Sequence, residues 1–515
     1  MNSKSILAVA ALAVTIILGS FILGSAVAQV DLIKLGGFVV AVVAIGLFII
    51  LKKNVWILIP IFFSWSGNVG ILPLPFSVSN LSIMFCLAVF GLQLGTRRER
   101  IRWRPGTIDF FIGLVLVSVM ISFALNPVGI RAFGSTGLVG GRPYFEVIVG
   151  LLGYIMLCSV RPNVDWLNRV PVFTVIMAAV MAVGGTIAFF IPQTGIILYQ
   201  FYSGFLPDVK ELLGGNELDK GTGVGRSGYL SPLAVSLVYL IYAKRAPIAN
   251  LSPTHAKSFL GLIIAAVLSL LSGFRGVLGG QGIYFVIAST AWQGLKGLFL
   301  TIMIAVVALS GIYFISVTVT LPDRIQRPLS FLPGEWDRRV KDTGSESTDW
   351  RVGMWEEALY GSGIQNKVLG DGFGVRSTEV EYFREKQAMR RISTQEQQQY
   401  YILTGNLHSG PLTAIRYVGV IGFILYTLLI LYIASGFVRL WRSCIHRREA
   451  VLVGFFALPA AYLPIKYFFV FGAFNIDFPQ SLITAGMLVL CRNVISEMRE
   501  QVSGEEEVLS TSPGN

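Results

Sequence analysis

A chain of 515 residues that is 54% hydrophobic and only 14% charged is too apolar for a soluble domain of that size. Its formal charge of +12 is spread over short clusters between apolar runs and accompanies no recognition fold, which argues against a nucleic-acid partner. The composition points instead to an all-α, polytopic membrane protein.

In chain order, apolar runs long enough to cross a bilayer fall at 6–28, 33–51, 54–72, 81–95, 107–125, 144–160, 170–190, 229–243, 257–273, 276–293, 298–318, 413–435, 450–470 and 479–495. A bundle of about 12–14 transmembrane helices is therefore expected. Ala26-Val27-Ala28 resembles a signal-peptidase site, but the run before it is longer than the usual apolar core of about 7–15 residues. Cleaved or retained, that segment leaves the later topology unchanged. Basic residues gather at Lys52 and Lys53, at 97–104, at Arg161 and Arg169, at Lys244 and Arg245, and at 439–448. Alternate connections then read as cytoplasmic, with both termini inside and membrane lipids as the partner of the excess charge. Cys86, Cys158 and Cys491 fall in spans and Cys444 in a cytoplasmic connection, so no disulfide is expected in the outer tract.

The domain plan follows. Residues 1–318 carry transmembrane helices one to eleven, 319–411 form a large extracytoplasmic loop with short helices, 412–495 carry the C-terminal transmembrane helices, and 496–515 are a cytoplasmic acidic tail. A loop longer than about fifteen residues usually has structure or function of its own. Here Trp350, Met354, Trp355, Ala358 and Leu359 are spaced for an amphipathic helix over 349–360. After it come GDGFG at 370–374, a Gln-rich stretch at 395–399, and NLHSGPL at 406–412, which runs into a span. GFG at 372–374 is not a nucleotide fingerprint, because no strand precedes it.

The chain has three histidines. His255 and His446 stand beside Lys257 and Arg447 in cytoplasmic connections, which leaves His408 alone on the outer face. A neutral imidazole at that boundary can take a proton from a sugar hydroxyl; the plainer reading is a solvated or helix-capping histidine. Short outer loops should be poor in arginine, yet Arg131 and Arg142 occur there, Arg226 lies in GRSGYLSPL, and Arg275 interrupts LSGFRGVLGG. A guanidinium at headgroup depth matches phosphate oxygens; snorkelling or an ion pair is the structural alternative.

The order GRSGYLSP, SGFRG, a long outer loop with WR and GDGFG, then HSGPL before a span resembles the O-antigen ligase and Wzy-type O-antigen polymerase superfamily of bacterial glycan assembly, over roughly residues 30–495. The resemblance implies a helical bundle of C-type glycosyltransferase character in the bacterial inner membrane, with its active site facing the periplasm. It implies an undecaprenyl-diphosphate-linked glycan as donor, and lipid A–core or a second lipid-linked glycan as acceptor. It carries diphosphate binding to Arg226, Arg275 and Arg351 and the role of base to His408. Arg142 and Arg131 match no motif and are secondary. Metal-dependent membrane glycosyltransferases usually pair acidic residues in an early outer loop, where this chain has only Asp31, so no metal and no other cofactor is expected. Asp371 and the pair Glu356 and Glu357 read as acceptor binders or as surface charges. Trp336, Trp350, Trp355, Tyr382 and Tyr400 are candidates for an acceptor groove. The competing class is a lipid-linked oligosaccharide flippase or another secondary transporter. Such proteins usually show midplane charges and an internal repeat, and no repeat is visible here.

Overall fold

The computed structural model describes residue 42 and residues 45–511, except 66, 70–75, 98, 102, 128–139, 162, 206–226, 323–324, 327–328, 362, 375–381, 384–385, 387–392 and 446–449. The expected span 6–28 with Ala26-Val27-Ala28, most of 33–51, and Asp31, Arg131, Arg226 and His446 lie outside the described residues.

The described chain is helical, and its one strand-like pairing is an isolated bridge between Asn68 and Ser77. A 3₁₀ stretch, Lys52–Ile57, runs into the short α1 (Leu58–Ile61). Then follow α2 (Val78–Gly95), α3 (Thr107–Leu125), α4 (Gly141–Ser159), α5 (Val164–Phe190), α6 (Pro192–Phe201), α7 (Ser231–Lys244), α8 (Ala256–Ser272) and α9 (Arg275–Thr318). The long loop contributes α10 (Arg338–Tyr360) and α11 (Thr394–Leu403). The chain closes with α12 (Gly410–Cys444), α13 (Ala450–Ile465) and α14 (Phe474–Thr511).

Eight of these helices, α2 to α5, α9, α12, α13 with its continuation, and α14, are long and apolar enough to cross a membrane, as a multi-pass membrane protein requires. They take up nine of the expected spans, because α9 contains two. At Gly294 the backbone leaves the helical region (φ 62°, ψ −143°). The chain doubles back there: a Cβ on Gly297 would collide with the Ser289 carbonyl, which a straight helix would hold about 12 Å away.

Three expected spans form helices shorter than those eight. The run 54–72 stops as helix at Ile61, and Gly67 packs against the ring of Tyr202. The runs 229–243 and 257–273 become α7, of 14 residues, and α8, of 17. The acidic tail does not separate from the last span, since α14 continues to Thr511.

Local chemistry fixes the helix starts. Ser77 accepts from the Asn80 amide at 3.1 Å to open α2, and Asn163 accepts from the Asp165 amide at 2.9 Å to open α5. α14 is the central span, with 72% of its apolar window buried, and it packs mainly on α4 and α12; α9 is peripheral at 6%. The second half of α9 presents Leu295, Phe299, Val306 and Phe314 outward, an apolar face suited to lipid. Following the helices up and down, Arg97, Arg100, Arg161, Lys244, Lys296 and Arg439 gather at one end, the basic end. The long loop covers the other, the loop end.

Candidate functional site

The loop end is held to the bundle by a break in α12. At Gly419 the backbone turns to φ 70°, ψ 178°, which frees amides and carbonyls that a continuous helix would pair. Residues 367–372 take them up. Val420 donates to the Lys367 carbonyl (2.8 Å), Asp371 to that of Arg416 (2.9 Å) and Gly372 to that of Tyr417 (3.0 Å). Gly370 and Gly419 lie so close to the opposing backbone that a Cβ at either would overlap it, which is why glycines stand there.

Asp371 is the centre of this tie. Its carboxylate accepts from the amides of Gln365 (3.0 Å) and Asn366 (2.7 Å) and pairs with the buried guanidinium of Arg416. Asn126 donates to the Asp371 and Gly374 carbonyls, the Phe373 amide donates to the Tyr144 hydroxyl at 3.1 Å, and the Phe373 ring is buried between Tyr144 and Tyr417. GDGFG therefore fastens the loop to α3, α4 and α12. Asp371 is fully engaged in that task, and Arg416, which sequence reasoning missed, is its counter-ion.

A second small core carries His408. Met354 and Ala358 of α10, Ile402 of α11, Leu407 and Leu412 are buried together, with Trp350, Trp355 and Leu359 half-buried against them. The helix expected at 349–360 thus forms with the predicted face inward. Ser393 and Glu396 close a capping box at the start of α11. Trp355 Nε1 donates to the Leu407 carbonyl at 2.6 Å, and the Tyr417 hydroxyl to that of Thr404 at 2.9 Å. So anchored on both sides, His408 is held at φ 51°, a left-handed conformation that costs a non-glycine residue about 1–3 kcal/mol.

Its imidazole lies among Phe471 (5.0 Å between ring centroids), Tyr401 (5.6 Å) and Trp350 (6.5 Å). Burial in this aromatic surround, reinforced by the nearby positive charge of Arg351, pushes the His408 pKa down to about 4. The ring is neutral at physiological pH. Arg351, on α10 next to Trp350, is thereby placed beside His408.

Arg275 opens α9 after the left-handed Gly273, and the Ser227 amide donates to the Ser272 carbonyl at 3.2 Å. Ser227 of GRSGYLSP and Ser272 of SGFRG therefore meet at the loop end. Gly276, the next residue, comes against Val470, where a Cβ would stand 3.4 Å from its side chain. Val470 precedes Phe471, the ring on His408. Arg275 and His408 thus flank one short stretch of chain, between α13 and α14.

That stretch begins as a π-helical turn, Lys466–Val470, after Pro459 and Pro464 have interrupted the α13 ladder. Lys466 Nζ pairs with the buried Asp477 at 3.0 Å, and Asp477 also accepts from the Ala473 amide at 2.8 Å. Neither residue was anticipated from sequence. A lysine inside an apolar run, PIKYFF, was the available signal. Lys466 borders an apolar cavity of about 310 Å³ with Tyr239, Tyr284 and Tyr462 in its wall. The three rings stack edge to face, and the Tyr239 hydroxyl donates to that of Tyr284 at 2.9 Å.

Arg142 stands apart from His408. Its Nε donates to Glu146 and a terminal nitrogen to the Asn68 side-chain oxygen, both at 3.1 Å, in a separate polar cavity. Of the proposed groove aromatics, Trp336 is buried and donates to the Leu332 carbonyl, Trp350 and Trp355 belong to the small core, and Tyr382 is exposed. Among the described residues, no three His, Cys, Asp or Glu side chains converge to hold a metal ion. The four cysteines are free and buried. No protein-family model and no curated protein matches the chain.

Proposed function

We propose that the chain transfers a glycan from undecaprenyl diphosphate to an acceptor sugar hydroxyl at the loop end, as an O-antigen or exopolysaccharide ligase or polymerase of the bacterial inner membrane. The observation that carries this reading is the company of His408: a neutral imidazole beside Arg351, across Val470 and Phe471 from the arginine-bearing start of α9. Positive clusters at the basic end support a cytoplasmic position for that end, with the loop end outside.

In this reading the guanidiniums of Arg275 and Arg351, with Arg226, hold the diphosphate and stabilise the charge that grows as the C1–oxygen bond to it breaks. The acceptor oxygen forms the new bond to C1 from the opposite side, inverting the anomeric centre, and its proton passes to a His408 nitrogen. A base with a pKa of about 4 is weak in the empty site. The arriving diphosphate offsets the charge of Arg351 and stabilises the imidazolium, so the base gains strength when donor is bound. No step requires a metal.

The test is transfer from a purified undecaprenyl-diphosphate oligosaccharide in detergent with EDTA, offered a second lipid-linked repeat or lipid A–core. Activity that survives EDTA and is lost in His408→Asn and Arg275→Ala supports the reading, and the acceptor used distinguishes polymerase from ligase. Activity indifferent to both substitutions removes it. One feature favours the competing class, a lipid-linked oligosaccharide transporter: Lys466, in a broken helix bordering a cavity within the bundle, pairs with the buried Asp477 of α14. Flipping of the lipid-linked oligosaccharide in proteoliposomes, abolished by Asp477→Asn while His408→Asn has no effect, would establish that reading instead.

A further inference from the structure

The cavity around Arg142 has no part in the chemistry above. It measures about 360 Å³, within the range of about 300–1,000 Å³ usual for small-molecule sites, and is walled at the loop end by the first turns of α2, α4 and α14. Its lining sets Asn68, Asn80 and Gln480 around the Arg142 and Glu146 pair, with the Phe63 ring on one side. Arg142 and Glu146 are about four-fifths buried, and Asn80 also bonds the Glu146 carboxylate.

Two physical facts select the ligand. The ion pair leaves the cavity without net charge, so an entering diphosphate would gain Arg142 only by displacing Glu146 and facing its repulsion. The remaining lining combines donors and acceptors, the guanidinium N–H groups, carboxylate oxygen and three amides, with the apolar side chains of Phe63, Ile83, Ile476 and Ile483. Neighbouring hydroxyls of a sugar ring, each both donor and acceptor, match such a lining, and the ring's C–H face matches Phe63.

We infer that this cavity is a carbohydrate subsite for an uncharged sugar ring of the glycan, separate from the diphosphate clamp. The inference rests on the transferase reading for the identity of the ligand and adds the place where its sugar is recognised. Ile476 lines the cavity and Phe471 touches His408. Five residues of chain reach at most about 18 Å, so one oligosaccharide of a few rings bridges the two.

The experiment uses the full chain in lipid nanodiscs free of sugar detergents, a panel of fluorescent neutral oligosaccharides as probe, and sodium pyrophosphate as competitor. At least one neutral oligosaccharide is expected to bind. Asn80→Ala and Gln480→Ala are expected to weaken it about tenfold each, the loss of one hydrogen bond, with unchanged thermal stability. Pyrophosphate is expected to leave binding to the wild type unchanged, and to compete in Glu146→Gln, where the cavity becomes cationic. The inference is overturned if no neutral saccharide binds, if pyrophosphate displaces it from the wild type, or if both alanine variants bind as the wild type does. The two readings fail separately. Transfer lost in His408→Asn but indifferent to the cavity variants leaves the transferase without this subsite, whereas saccharide binding lost in the cavity variants of a protein that transfers nothing leaves the subsite without the transferase.

Discussion

At His408 two demands meet in one residue. The backbone is held left-handed, which asparagine tolerates better than other side chains, so His408→Asn keeps the turn and removes the proposed base. It is expected to lower turnover by about 10²–10⁴-fold while the protein stays folded. The lowered pKa sets a second test. From an ordinary value near 6.5 to about 4, the shift disfavours the charged form, so the neutral base survives as pH falls through 6.5 and is lost only near 4. The same sign applies to stability: the part carried by the neutral, buried imidazole is present above 6.5 and disappears as pH falls from there through 4. The acid limb of kcat/KM should therefore lie well below 6.5, and Arg351→Gln should raise it by removing the neighbouring charge. A wild-type limb at 6.5, or no movement in the variant, would sink the pairing. Sequence singled out His408 by the scarcity of histidine and Arg351 by the resemblance at WR, and only the structure brings the two side by side. Their aromatic partner Phe471 was not singled out, since it arrives from a different span.

The break in α12 belongs to the scale of the element. Periodicity reads 413–435 as one unbroken helix, and nothing local in GDGFG says that it fills a notch at Gly419. The pairing is long-range, and hydropathy is blind to hydrogen bonds exchanged between a loop and a helix. Gly419→Ala adds a methyl group against the Val368 carbonyl and forces alanine to φ 70°, so it should destabilise the protein by at least about 1–3 kcal/mol. Asp371→Ala should cost more, about 3–5 kcal/mol, because the buried Arg416 loses its counter-ion. Thermal unfolding in detergent reads both. Limited proteolysis across 319–409 shows whether the loop has come away while the bundle persists. Unchanged melting and unchanged cleavage in Gly419→Ala would mean that the tie does not hold the loop.

For the whole molecule, the bundle was legible wherever apolar runs are long and punctuated by charge, and least so where helices are short or join. Nine expected spans reappear in membrane-length helices, two of them within α9, because the turn at Gly294, close to Lys296, is too tight to leave a gap between the two helical runs. Of the run at 54–72, helix is described only to Ile61, where buried apolar residues pack as a short helix ahead of a turn. The proposed function depends on which end of this bundle faces outward, since the transfer is assigned to the outer face. The native cysteines are buried, so introduced ones report cleanly. Tyr360→Cys, at a position 86% exposed on α10, should react with a membrane-impermeant maleimide in intact spheroplasts, while Arg439→Cys at the exposed basic end should react only after the membrane is opened. The reverse pattern would place Arg351 and His408 in the cytoplasm, on the opposite face from the proposed transfer. It would dismiss the ligase and polymerase readings together, whatever the geometry around the imidazole.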